Sequence, residues 1–184
     1  MDNGASSYRR FLEGDKDALI DIIGDYREGL VLFLNSYIGN FCLAEEITQE
    51  TFIKLYAEKP KFSEKCTFKT WLYTIGKNAF LDYKKKYSKY EEYPITEIYN
   101  VADQENIERN YIKSEEKQRL LRAMDKLNND YRQVLYLTYF EDFSNTETAK
   151  IMGKSERQIR NLLYRSKESL RKIIEREGYK YEEA

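Results

Sequence analysis

Apolar residues recur at three- and four-residue intervals along much of this chain. Leu19, Ile22, Ile23, Tyr26, Leu30, Phe33 and Leu34 follow that spacing and predict a helix over roughly Asp15–Tyr37. Gly39 and Asn40 interrupt it. A second helix is predicted over roughly Leu43–Tyr56, with Ile47, Phe52, Leu55 and Tyr56 as its apolar residues, and Pro60 ends it. After a lysine-rich loop a third helix is predicted over roughly Thr67–Tyr87, with Phe68, Trp71, Leu72, Ile75 and Ala79 toward a core. These helices would form one bundle.

Between Glu91 and Lys113 the period weakens, Pro94 intervenes and six acids face two bases, which predicts a linker. The helical pattern returns at about Ser114 with Leu120, Leu121, Met124 and Leu127. Asn128 or Asn129 can cap a further helix that runs through Val134, Leu135 and Leu137 to Tyr139. Ser144-Asn145-Thr146-Glu147 and Ser155-Glu156-Arg157-Gln158 each match a capping box. The short helix between them ends at Gly153, a residue suited to the left-handed C-terminal turn. Two helices of unequal length joined by a tight turn are the pattern of a helix-turn-helix. The expected fold is all-α: two small helical domains, residues 1–90 and 114–184, joined by a flexible acidic linker over 91–113.

Composition agrees with that outline. The chain has 184 residues with only two prolines and eight glycines, 41% apolar and 34% charged, which favours long helices and leaves enough material for a core. No apolar run approaches the roughly 18–20 residues that span a bilayer. The N-terminal MDNGASSYRR has no apolar stretch of a signal peptide, so a cytoplasmic protein without membrane contact of its own is expected. Histidine is absent, which excludes Ser-His and Cys-His nucleophiles and His-ligated metals. Cys42 and Cys66 are too few for a Cys-rich zinc site and are expected to be reduced thiols. No cofactor is implied.

The formal net charge of −1 conceals blocks. Residues 59–90 carry nine lysines against Glu64 and Asp82, and residues 144–184 carry ten bases against seven acids. The segments 1–58 and 91–118 are acidic. Two basic blocks suggest two contacts with a polyanion, although a charge run can equally be a solvated face.

In the last helix Ile159, Leu162, Leu163, Ser166 and Leu170 share one side and should be buried. Arg157, Arg160, Asn161, Tyr164 and Arg165 share the other. Arg and Asn are the residue types that pair bidentately with guanine and adenine edges in the major groove, at about 1–3 kcal/mol of discrimination each. Ser155, Gln158 and Lys167 flank this face, and Lys167, Arg171 and Lys172 can neutralise phosphates.

The third helix and its loop differ. Eight aromatic residues lie among the lysines of 59–90, and Lys69, Tyr73, Lys77, Phe80 and Lys84 are spaced to share one face. Cations interleaved with rings suit single-stranded nucleic acid, where lysines track phosphates and rings stack on bases. A duplex reader and a single-strand reader in one chain suggest a protein that handles opened DNA.

These residues resemble the bacterial sigma factors of the small, extracytoplasmic-function (ECF) type over nearly the whole chain. AEEITQETF at Ala44–Phe52 is similar to the family's motif in its second conserved region. Phe68, Trp71-Leu72, Ile75, Asn78 and Asp82 match its Phe-x-x-Trp-Leu-x-x-Ile-x-x-Asn-x-x-x-Asp pattern. Glu147, Ala149, Gly153, Ile159 and Arg165 match its C-terminal helix-turn-helix. The chain departs from the family at Asn128, where Pro is common, and at Leu162 and Lys85, where Arg is common.

The resemblance implies two helical domains that bind RNA polymerase core, direct it to promoters and assist opening, with no catalysis of their own. Glu46, Gln49 and Glu50 would dock on the clamp of the largest subunit, and the C-terminal domain on the flap of the second-largest. Lys61, Lys65, Lys69, Trp71, Tyr73, Lys77, Asn78 and Lys84 would capture and melt the minus-ten element. Ser155, Arg157, Gln158, Arg160, Asn161, Tyr164, Arg165 and Lys167 would read the minus-thirty-five element. The acidic linker would thread channels that otherwise hold nucleic acid, and an anti-sigma factor would be a further partner. Two other readings of the residues stay open at this point: a two-domain helical regulator that recruits polymerase rather than joining it, and a magnesium-dependent helical nuclease.

Overall fold

The computed structural model describes residues 3–87 and 115–176. The chain divides into two compact units, Met1–Ile107 and Glu108–Ala184; the segment expected to be the linker, with Tyr90, lies outside the described residues. Among the described residues there are eight helices and no strand.

The first unit contains α1 (Asn3–Leu12), α2 (Asp17–Ile38), α3 (Phe41–Glu58) and α4 (Phe68–Tyr87). The turn between α2 and α3 follows from two residues. Gly39 sits at φ 73 and returns its N–H to the Asn35 carbonyl, and the Asn40 side chain accepts from the Leu43 N–H at 3.0 Å. Glycine takes that left-handed conformation without a Cβ penalty.

α2 packs against all three other helices. Ile22, Leu30, Val31, Phe33 and Leu34 of α2, Phe41, Ala44, Ile47 and Leu55 of α3, and Phe68 and Leu72 of α4 are all buried in the core. The buried Thr48 and Thr51 hydroxyls donate to the Ala44 and Ile47 carbonyls of their own helix, so the polar atoms on this face are satisfied.

Two expectations for α4 are corrected: its apolar stripe and its face of lysines and rings. Tyr73 is fully buried, its ring 5.2 Å from that of Phe33, and does not share an outer face with Lys77 and Lys84. The reason is that α4 packs against both α2 and α3. At Gly76 a Cβ would stand 3.0 Å from Leu30 and 3.6 Å from Thr51. Burial therefore covers a broad arc of Phe68, Thr70, Leu72, Tyr73 and Gly76, and leaves Trp71, Ile75 and Ala79 only half-buried. Tyr56, expected on the apolar side of α3, is exposed, although its ring stands 6.2 Å from Phe11. The helix α1 has no counterpart among the predicted elements.

The second unit contains α5 (Glu115–Asp125), α6 (Asn129–Tyr139), α7 (Asn145–Met152) and α8 (Glu156–Arg176). α8 packs against the other three. Its core combines Met124, Leu127, Val134, Leu137, Phe143, Ile151, Met152, Ile159 and Ile174. Asn128 caps α6, accepting from the Tyr131 N–H at 3.0 Å. A side-chain acceptor thus does the work at the position where a proline is common in the family.

Candidate nucleic-acid interface

α7 and α8 are set by two reciprocal caps. At Ser144 the hydroxyl accepts from the Glu147 N–H at 3.3 Å, and the Glu147 carboxylate accepts from the Ser144 N–H at 3.0 Å. At Ser155 the hydroxyl accepts from the Gln158 N–H at 3.3 Å, and the Gln158 side-chain oxygen accepts from the Ser155 N–H at 2.8 Å. Gly153 turns the chain between them at φ 67, and Lys154 donates its N–H to the Ala149 carbonyl. Across the turn the Thr146 hydroxyl donates to Glu156 at 2.9 Å, and Lys154 pairs with Asp130 of α6 at 3.0 Å. The start of α8 is thus fixed by hydrogen bonds to α7 and by an ion pair to α6.

Ile159 and Ser166 of α8 are buried, and Leu162, Leu163 and Leu170 are half-buried. Arg157, Arg160, Asn161, Tyr164 and Arg165 are all exposed, Tyr164 at 71%. Arg160 has one loose ion pair, 3.8 Å to Glu156 one turn back. Lys167 lies 4.9 Å over the exposed ring of Tyr139. One rigid helix therefore presents three guanidinium groups, a carboxamide and a phenol on a single side. That set can donate to base edges and to phosphates together.

In the first unit the candidate residues scatter more widely. Lys61 and Lys65 are exposed in the loop between α3 and α4, Asn78 and Lys84 are exposed on α4, and Lys69 and Lys77 are half-buried. Lys69 stands 5.7 Å over the Tyr73 ring. Trp71 is half-buried in an aromatic cluster, 5.0 Å from Phe62, 5.2 Å from Tyr8 and 5.5 Å from Phe68. Trp71 and Asn78, seven residues apart, share the outer side of α4. The Tyr83 and Tyr87 rings lie 4.4 Å apart, tilted by 38°, near its end.

On α3, Glu46, Gln49 and Glu50 are exposed on one face, and Ile53 continues that face at 64% exposure. Ile53 went unnoticed in the sequence, although the i, i+3, i+4, i+7 series that it completes with Glu46 is visible there. An exposed isoleucine beside acidic residues is suited to a partner that is itself part apolar and part basic.

Residues 22–90 match the family model described as Sigma-70 region 2, and residues 117–170 match that described as Sigma-70, region 4. The ECF RNA polymerase sigma factor SigW of Bacillus subtilis (strain 168) is 31% identical over 171 residues, 88% of this chain and 91% of the relative.

The chain belongs to the ECF RNA polymerase sigma factors.

SigM of the same organism is 29% identical over 152 residues, 82% of this chain and 91% of the relative. Two solved structures share the fold. CnrH, in complex with the cytosolic domain of CnrY, has a TM-score of 0.63 at 19% identity and covers 94% of this chain and 95% of its own. RpoE of Bartonella quintana, in complex with the anti-sigma factor NepR, has a TM-score of 0.61 at 20% identity and covers 87% and 96%. As a sigma factor the chain directs RNA polymerase to promoters and belongs to a class of non-catalytic initiation factors. This family assignment supersedes the regulator and nuclease readings. Among the described residues, no helix of this sigma factor is long and apolar enough to cross a membrane.

Proposed function

We propose that the two units divide the promoter between them and that the first also holds the polymerase. α8 reads the minus-thirty-five element as duplex, with Arg157, Arg160, Asn161, Tyr164 and Arg165 toward the bases and Ser155, Gln158 and Lys167 toward the flanking backbone. The loop bearing Lys61 and Lys65 takes up the non-template strand of the minus-ten element together with Lys69, Trp71, Lys77, Asn78 and Lys84. Tyr73 belongs to the core and supports that surface from beneath. Extruding a base costs a few kcal/mol, and ring stacking with phosphate neutralisation can offset it. The Glu46, Gln49, Glu50 face of α3, extended by Ile53, docks on the clamp of the largest polymerase subunit. The second unit meets the flap of the second-largest. The protein works in the cytoplasm, where the polymerase is. An anti-sigma protein that covers these faces completes the scheme, supported by the complex of the sigma factor RpoE with the anti-sigma factor NepR.

The observation that carries this reading is the one-sided exposure of Arg157, Arg160, Asn161, Tyr164 and Arg165 on a helix whose other side is held in its own core. Run-off transcription with polymerase core and genomic fragments tests it. Arg160→Ala with Asn161→Ala should lower output from a cognate promoter at least about tenfold, the worth of one good base contact, while co-elution with core persists. Unchanged output removes α8 as the reader. Glu46→Lys with Gln49→Ala should release the protein from core, and intact co-elution would refute that face.

A further inference from the structure

α1 precedes residue 22, where the match to Sigma-70 region 2 begins, and none of the contacts proposed above with polymerase or DNA uses it. It is nonetheless the element that grips the loop between α3 and α4. The Tyr8 hydroxyl donates to the Pro60 carbonyl at 2.7 Å. The Arg9 guanidinium donates to the Glu64 carboxylate at 3.0 Å. The Phe11 ring receives the Lys59 ammonium at 5.3 Å.

The loop residues held in this way are those least able to hold themselves. Lys59 and Glu64 are non-glycine residues at φ 46 and φ 56, a conformation that side chains bearing a Cβ keep only where surrounding contacts impose it. α1 is itself seated without slack. A Cβ on Gly4 would fall 2.5 Å from Phe68, the first residue of α4, and 2.5 Å from the Tyr26 hydroxyl. The buried Tyr8 ring lies 5.5 Å from Phe68 and 5.2 Å from Trp71. One short helix thus touches both ends of the loop and the aromatic ring beside it.

We infer that α1 is a template for the minus-ten loop, and that Tyr8 and Arg9 are positioning residues that set base selectivity there without touching DNA. The inference rests on the minus-ten role proposed for that loop. An exposed ion pair such as Arg9–Glu64 adds little to overall stability; what it does is select one loop conformation. Burial pushes the Tyr8 phenol up to about 12, so it remains a protonated donor throughout the physiological range.

The test is transcription by polymerase core loaded with full-length variants, on a promoter library randomised across the minus-ten window and, separately, across the minus-thirty-five window, with the RNA sequenced. Tyr8→Phe with Arg9→Gln should narrow the preference for the best minus-ten base by about fivefold, the worth of one net hydrogen bond. Minus-thirty-five preference and co-elution with core should be unchanged. Arg9→Glu alone should narrow it too, and adding Glu64→Arg should restore it. Lys61→Ala with Lys65→Ala serves as the control for the loop. If that pair alters minus-ten preference and the α1 pair does not, the template is overturned and the loop keeps its role. If neither pair alters it, both are overturned. If the α1 pair degrades both windows or core co-elution together, α1 acts on the fold as a whole and the inference is overturned.

Discussion

The two surfaces proposed to meet DNA are built in opposite ways. α8 carries its reading face on one continuous helix, started by its own Ser155–Gln158 box and aimed by the Gly153 turn. Every residue of that face follows from its spacing. The surface proposed for the minus-ten element is a composite. Its loop is held by α1, its tryptophan stands in a cluster drawn from α1, the loop and α4, and the backbone passes through the left-handed region at Lys59 and Glu64. Paired DNA offers a regular groove, which a straight rod with one polar side can enter. An extruded base needs a recess, and a recess is made where several elements meet. The comparison teaches that the first kind of site is local in the chain and the second is not.

The largest expected effect would sharpen this contrast on stability. Tyr73→Ala should cost about 3–5 kcal/mol, the usual loss for a buried large aromatic, read as a lower urea midpoint by the fluorescence of Trp71, the single tryptophan. Arg157→Ala should stay within about 0.5 kcal/mol, as surface changes do. A Tyr73→Ala protein of unchanged stability that lost minus-ten function would return Tyr73 to the DNA surface and break the contrast. Next in size is Gly153→Ala. A Cβ at φ 67 costs about 1–2 kcal/mol, and circular dichroism should record a lower melting temperature for the second unit. Ser155→Ala should cost about 1 kcal/mol and reduce minus-thirty-five selectivity through fraying of the α8 start. A variant equally selective and equally stable would show that the cap does not aim the helix.

The smallest effect concerns pH. The Arg10 guanidinium beside Asp15 holds that carboxyl below its ordinary range. Its stabilising contribution is therefore complete above the unfolded carboxyl value of about 3.9 and is lost as pH falls through the folded value. The melting temperature of Asp15→Asn should lie slightly below that of the wild type at pH 7, and the gap should close below about pH 4. A gap independent of pH would show that Asp15 does not act through its charge.

Much of the fold was legible because helices repeat a local rule. The expected Asp15–Tyr37 and Thr67–Tyr87 helices lie within two residues of α2 and α4 at either end, since Gly39 and Asn40 on one side and Thr67 on the other are local signals. Both capping boxes were readable for the same reason. α1 was missed because Tyr8, Phe11 and Leu12 make only a single apolar turn in ten residues, too short a period to stand out. The place of Tyr73 was misjudged because its burial depends on how close two other helices come at Gly76.

The amino-acid sequence by itself determined the helices, their caps, the two basic blocks and the outward face of α8, all of which depend on residues within a turn or two of one another. Only the tertiary structure decided that Tyr73 is core, that Tyr56 is exposed, and that a helix beginning at Asn3 holds a loop more than fifty residues further along. Those outcomes depend on distances between segments far apart in the chain, set by the packing of α1, α2 and α3 around α4, and no local period encodes them.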